Sequence, residues 1–111
     1  MKKWAIEYCH DATGKSSIER WLDGLTKEQF KSIAKELKLL EECGNQLKLP
    51  HSRSLGKSLF ELRERRYGCR IYYAFFGKQI IILFAAGDKS TQKNDIKIAR
   101  ERLSKLNLKE G

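Results

Sequence analysis

From Lys3 to Tyr8 the chain alternates, with Trp4, Ile6 and Tyr8 falling on one side, which predicts a half-buried strand. The turn-forming run His10-Asp11-Ala12-Thr13-Gly14 ends it. The period then changes. Ile18, Trp21, Leu22 and Leu25 recur at helical spacing behind Ser16, with Glu19 three residues on as a capping box, and predict a short helix over about 16–24 that ends at Gly24. Thr26 and Gln29 repeat the signature. Behind them Phe30, Ile33, Ala34, Leu37 and Leu40 form the stripe of a second helix, running to about Cys43 and stopping at Gly44. The two read as a helical hairpin that covers one face of a sheet. On the other side of the second helix, Lys27, Lys31, Lys35 and Lys38 are balanced in number by Glu28, Glu36, Glu41 and Glu42, so that surface reads as solvated and not functional.

Asn45 to Lys57 is polar, holds the one proline, Pro50, and reads as a connector. A meander follows. Ser58 to Arg65 is a strand with Phe60 and Leu62 on one face and Glu61, Arg63 and Arg65 on the other, since side chains alternate along a strand. Arg66-Tyr67-Gly68-Cys69 is a turn. Arg70 to Phe76 is the next strand, with Ile71, Tyr73 and Phe75 opposed to Arg70 and Tyr72. Gly77-Lys78 fits a two-residue hairpin turn. Gln79 to Ala86 is apolar on both faces and reads as a central strand. A last helix over about 92–106 carries Ile96, Ala99, Leu103 and Leu106 as its core stripe, and Asn107 to Gly111 reads as a fraying tail. The expected fold is α+β, in the order β-α-α-β-β-β-α. Its three-stranded antiparallel meander and the N-terminal strand share one sheet.

A length of 111 residues fits one domain spanning 1–111, and 41% hydrophobic with 33% charged residues fits a globular chain. The longest apolar run, Ile80 to Ala86, is far shorter than the roughly 20 residues of a membrane span. Met1-Lys2-Lys3 is followed by Trp4-Ala5-Ile6-Glu7 and not by the apolar core of a signal peptide, so the expected location is cytoplasmic, without a membrane partner. Cys9, Cys43 and Cys69 lie far apart, with no C-x-x-C pair and no metal-binding cluster of Cys and His, which fits reduced thiols and no metal site.

The charge changes the picture more than the composition does. Residues 1–47 hold eight basic and eight acidic side chains, residues 48–70 seven against two, and residues 71–111 eight against four. The whole net charge of +9 therefore lies in the second half, as a surface for a polyanion requires. If the meander forms, Arg63, Arg65, Arg70 and Lys89 converge at one end of one face. Arginine suits phosphate because its planar fork binds two oxygens and stays charged. Four such cations would bind a phosphodiester and stabilise the added charge of a pentacoordinate phosphorane. Tyr72 shares that face and could stack on a base or bond a phosphate, with a core or edge aromatic as the plainer alternative. Glu61 is the one acid there, either paired with an arginine or engaged in proton transfer. His51 is available as a general base or a phosphate contact, with an exposed loop histidine as the plainer alternative. There is no Gly-rich phosphate loop, no H-E-x-x-H and no carboxylate cluster for two-metal chemistry. RNA cleavage here would therefore run without metal or cofactor, by attack of the ribose 2′-hydroxyl on the adjacent phosphate.

Three strings, LFELR (Leu59 to Arg63), GCRIYYAF (Gly68 to Phe75) and GDKSTQK (Gly87 to Lys93), resemble the RelE/ParE toxin superfamily and within it the phage-derived HigB-like branch. The resemblance spans nearly the whole chain and implies a RelE-like fold. It implies the toxin of a toxin–antitoxin system, a ribosome-dependent mRNA endoribonuclease that inhibits translation. It implies a helix-turn-helix antitoxin as partner, in a toxin–antitoxin hetero-oligomer, and mRNA on the ribosome as substrate. On the matching positions it makes Arg63, Arg70 and Lys89 catalytic. It adds Lys57, Gln92 and Lys93 to Arg65, Tyr72 and His51 as RNA contacts. The chain departs from the pattern at Asn94-Asp95, where relatives carry T-P, and it has no tyrosine in the 91–95 segment. Two other readings share the fold or the charge: a non-cleaving RelE/ParE-like protein, either a gyrase-directed toxin or a module binding RNA or antitoxin, and a basic accessory domain on nucleic acid.

Overall fold

The computed structural model describes residues 3–110, with side chains as far as Asn107. Its centre is a five-stranded sheet in the order β1-β5-β4-β3-β2, formed by β1 (Ala5–Tyr8), β2 (Ser52–Gly56), β3 (Leu59–Glu64), β4 (Cys69–Phe76) and β5 (Ile80–Asp88). β2 to β5 form an antiparallel meander, and β1 lies parallel to β5 with Ala5 opposite Ile80. α1 (Ser17–Asp23) and α2 (Lys27–Cys43) connect β1 to the meander, and α3 (Gln92–Glu110) follows it.

Two apolar layers sandwich the sheet. On one face Leu62, Ile71, Tyr73, Ile81 and Leu83 pack against Ile18 of α1 and Ile33 and Leu40 of α2. On the other, Leu59, Tyr72, Ala74, Phe84 and Ala85 pack against Ala99 and Leu103 of α3. Each large side chain so enclosed contributes roughly 1.5–3 kcal/mol. β4 and β5 are covered on both sides, which is why Gln79 to Ala86 carries no polar face. A bulge in β5 adds to this. Tyr72 pairs with Ala85 and Tyr73 with Leu83, so Phe84 is the extra residue, and Phe84 and Ala85 both enter the α3 layer.

The expected order of elements forms, with one strand more. The stretch read as a connector contains β2, which pairs antiparallel with β3, so the meander has four strands and the sheet five. β2 has a single apolar residue, Leu55, and its one buried side chain is Ser52, whose hydroxyl meets the Tyr73 hydroxyl. A strand that buries a hydroxyl leaves no period-two apolar signal. The turn after β4 has three residues, not two. Gly77 and Gln79 both adopt left-handed backbone, at φ 50° and 66°. Thr26 and Gln29 form both arms of their capping box, whereas Ser16 accepts from the Glu19 amide alone and Glu19 pairs with His10 at 3.7 Å. Phe30, assigned to the core stripe of α2, is 48% exposed. Of the tail read as fraying, Asn107 to Glu110 continue α3, and Gly111 lies outside the described residues. No helix among the described residues is long and apolar enough to cross a membrane.

Candidate phosphate-binding site

The registers of the meander place the charged side chains in two ranks across the sheet. In the first, Arg53 of β2 stands opposite Glu61 of β3, and Glu61 opposite Tyr72 of β4. In the second, Arg63 stands opposite Arg70, and Arg70 opposite Gly87 of β5. Positions two apart on a strand share a face. Glu61, Arg63, Arg70 and Tyr72 therefore lie together on the α3 side, as the alternation of the sequence predicts.

Glu61 is the hub. Its side chain is fully buried, and its Oε1 accepts from Arg53 Nε at 2.9 Å with Arg63 Nε at 3.9 Å. Its Oε2 accepts from the Gln92 side-chain amide at 2.8 Å and lies 3.6 Å from Arg70 Nε. A buried carboxylate is tolerated only when its charge is met, and here three guanidiniums and an amide meet it. The converse matters for function. One carboxylate among three guanidiniums leaves an excess of two positive charges. The three also differ in access. Arg53 and Arg63 expose 45% and 33% of their side chains, Arg70 only 13%. The hub thus holds the inner edges of two arginines and leaves part of each free for an external anion.

The exit of β5 closes the site. Asp88 accepts from the Ser90 and Thr91 amides at 2.8 and 3.3 Å and from the Ser90 hydroxyl at 2.6 Å, which fixes the 3-10 turn Lys89–Thr91. The Ser90 hydroxyl and these amides hold the Asp88 carboxyl below its usual range. Lys89 rides on this turn, exposed, two residues beyond the partner of Arg70. Gly87 makes the approach of α3 feasible. A Cβ there would lie 2.1 Å from Asp95 Oδ2 and 2.3 Å from Thr91 Oγ1. With only hydrogen at that point, Gln92 comes close enough to reach across to Glu61.

The other residues named from the sequence distribute differently. Tyr72 is 0% exposed under α3, so no ring face is open to a base, and the expected stacking is corrected by this burial. Its hydroxyl and Arg70 Nε are both buried without a hydrogen-bond partner. Burial first, and then the adjacent Glu61, push the phenol well above its usual range, so it stays protonated. Gln92 is spent on Glu61, and Lys93 stands exposed beside it in the first turn of α3. Arg65 lies in the turn after β3 and lines a hollow of about 190 Å³ with Arg63 and Arg70. Lys57 lies apart, at the tip of the β2–β3 hairpin beside Arg100 of α3. His51 is held on the α2 side, with Nδ1 3.0 Å from Glu36 Oε2. The Cys69 thiol is buried and pushed up to about 11, chiefly by burial, which makes it a poor nucleophile. Arg53 belongs to the cluster and escaped the sequence reading, because β2 did. The only available signal was its position between two serines that alternate with it.

Two solved structures of the E. coli RelE toxin share this architecture. A mutant form in the free state aligns with a TM-score of 0.65 at 13% identity, covering 90% of this chain and 97% of that one. The isolated toxin aligns with a TM-score of 0.55 at 12% identity, covering 85% and 96%. At such identities the likeness shows the fold, and the fold is RelE-like. No curated protein matches the sequence. Residues 20–104 match the family described as phage derived protein Gp49-like (DUF891), a span from α1 to near the end of α3 that takes in the whole cluster, and the chain belongs to that family.

Proposed function

We propose that this protein is the toxin of a type II toxin–antitoxin pair, of the HigB-like branch, and that it cleaves mRNA on the ribosome. The observation that carries the reading is the Glu61 hub, which holds three arginines on one face with two of them open to solvent. A phosphodiester bound there would meet Arg63, Arg53 and, at the exit of β5, Lys89. Attack of the 2′-hydroxyl forms a bond from that oxygen to phosphorus and breaks the bond from phosphorus to the 5′-oxygen. The products are a 2′,3′-cyclic phosphate and a 5′-hydroxyl. Charge grows on the phosphorane oxygens, and preorganised cations stabilise it without reorganising. Arg63, Arg70 and Lys89 take that role, Arg70 from below. Arg65 and Lys93 hold the strand on either side. The antitoxin is a helix-turn-helix protein bound in a cytoplasmic complex.

The test is inducible expression of the wild type beside Arg63→Ala and Lys89→Ala, two changes at partly or fully exposed positions. Growth arrest with cut mRNA, lost in both variants, is the expected result. Intact mRNA, cleavage that requires magnesium, or 5′-phosphate products would overturn the reading.

A second reading rests on a specific observation. Glu61 is enclosed and His51 is bound to Glu36, so neither offers the cluster an accessible proton acceptor. A RelE/ParE-like protein that binds without cleaving, or acts on gyrase, would need none. Growth arrest with intact mRNA and a DNA-damage response would favour it.

A further inference from the structure

We propose that the groove between α2 and the Arg65–Gly68 turn is a second RNA-binding site, which takes the sugar–phosphate backbone. It rests on the reading above that the ligand is RNA, and it places contacts on a surface whose charges balance in the sequence.

The groove has a volume of about 650 Å³. Lys31, Lys35 and Lys38 line one wall, and Arg65 and Arg66 the other. The three lysines sit at i, i+4 and i+7. With a rise of about 1.5 Å per residue they make a row roughly 10 Å long on one side of α2. All five cations are exposed. The walls are fixed relative to each other, because Ser32 of α2 donates to Glu64 Oε1 at 3.0 Å. The same carboxylate accepts from the Arg66 and Tyr67 amides at 2.7 and 3.0 Å, and the Arg66 guanidinium lies over the Tyr67 ring at 5.4 Å from its centre.

Three carboxylates, Glu28, Glu36 and Glu64, share the lining with the five cations, which leaves an excess of two positive charges, and most of the acids on this side are engaged by other partners. Glu36 holds His51, Glu41 lies 3.6 Å from Lys3, and Glu64 is buried against amides. Glu28 lines one end. Among the described residues none of the five cations has a carboxylate within 4.0 Å. Five unpaired cations around a fixed groove form a field for a polyanion. Lysine dominates, and a point charge on a flexible stem reads phosphate without selecting a base. The groove is also continuous with the candidate site, since Arg65 lines both it and the hollow shared with Arg63 and Arg70. An RNA strand leaving the cluster around the turn, or a neighbouring duplex, would present the same phosphates.

The experiment follows fluorescence anisotropy of a labelled single-stranded RNA and a labelled RNA hairpin over a range of salt. It uses the full chain, Lys31→Ala/Lys35→Ala/Arg66→Ala, and the charge reversal Lys35→Glu. Each lost phosphate contact lowers the slope of log affinity against log salt by about 0.7–0.9, so the triple variant should lose about 2 and bind at least tenfold more weakly at physiological salt. Loss on the single strand alone assigns the groove to the substrate strand, and loss on the hairpin to a structured RNA. Lys35→Glu should weaken binding even where the triple variant melts at a lower temperature. An unchanged slope in both variants overturns the proposal, as does a groove that takes a polyglutamate peptide while RNA binding stays intact. The outcomes separate from the cleavage reading. A lost slope with growth arrest retained in Arg63→Ala keeps the groove and removes the cluster's catalytic role. An unchanged slope with arrest abolished does the reverse.

Discussion

Gln92 donates its side-chain amide to Glu61 Oε2 at 2.8 Å, across 31 residues of sequence. This one bond ties the first turn of α3 to β3, and so joins the LFELR and GDKSTQK strings. Gln92→Ala should lower stability by about 1–2 kcal/mol, as for a hydrogen bond to a charged group at a half-buried site. The same change in a Glu61→Gln background should cost clearly less, because the two residues are coupled. Urea midpoints for the four proteins measure the coupling. Additive losses would mean that the contact carries no energy of its own.

Removal of Glu61 leaves three guanidiniums facing one another with no anion between them. Glu61→Ala should therefore cost about 3–5 kcal/mol, as when one partner of a buried charge group is taken away. Arg53→Ala should cost far less, since Arg53 is 45% exposed and two arginines remain. If Arg53→Ala nevertheless abolishes growth arrest while its melting temperature barely moves, Arg53 joins Arg63 as a phosphate contact. A loss under about 1 kcal/mol for Glu61→Ala in denaturant titrations would remove the hub from the account of stability.

The sequence was most legible where the pattern was strongest. Alternation in β3 and β4 placed Glu61, Arg63, Arg70 and Tyr72 on one face, and the ladders Glu61–Tyr72 and Arg63–Arg70 agree. What alternation cannot say is what covers a face. The stripe Ile96, Ala99, Leu103 was visible, but not that α3 would lie over the cationic side and bury Tyr72. β2 was lost because its buried position is a serine that bonds a tyrosine hydroxyl, and with it went Arg53. On α2, charge counting gives number and not pairing, for a related reason. Equal numbers of Lys and Glu describe composition, whereas pairing depends on which carboxylates His51 and Lys3 draw away.

Gly87 and Gly14 separate two reasons for glycine. At Gly87 the backbone is ordinary and the space is full, with Asp95 Oδ2 and Thr91 Oγ1 where a methyl would be. Gly87→Ala should force the Lys89–Thr91 turn outward and cost about 1–3 kcal/mol, as overpacking does. It should also weaken RNA binding, because Lys89 and Gln92 move with the turn. At Gly14 φ is +81° and nothing lies within 4 Å, so Gly14→Ala should cost only about 1 kcal/mol of backbone strain and leave RNA binding untouched. Melting temperatures and anisotropy on the two variants check the contrast. Equal effects on binding would detach Gly87 from the site.

Asp95 gives the pH dependence. It is nearly buried at the start of α3, and burial raises its carboxyl above 3.8 against the opposing bond from the Thr91 hydroxyl, with Asp88 adding to the rise. A folded value above the unfolded one means that the folded state holds the proton more tightly. The stability this group contributes is then fully present below pH 3.8 and is lost as pH rises through the raised folded value. Asp95→Asn keeps a neutral side chain at every pH and has no such loss. The melting temperature of the wild type, taken relative to Asp95→Asn, should therefore fall across that acidic window and stay level at neutral pH. Other carboxyls titrate in both proteins and cancel in the difference. A difference that rises with pH instead would mean that the Thr91 hydroxyl and the positive end of α3 together outweigh burial, and that the carboxylate is held as an anion to anchor the turn carrying Lys89.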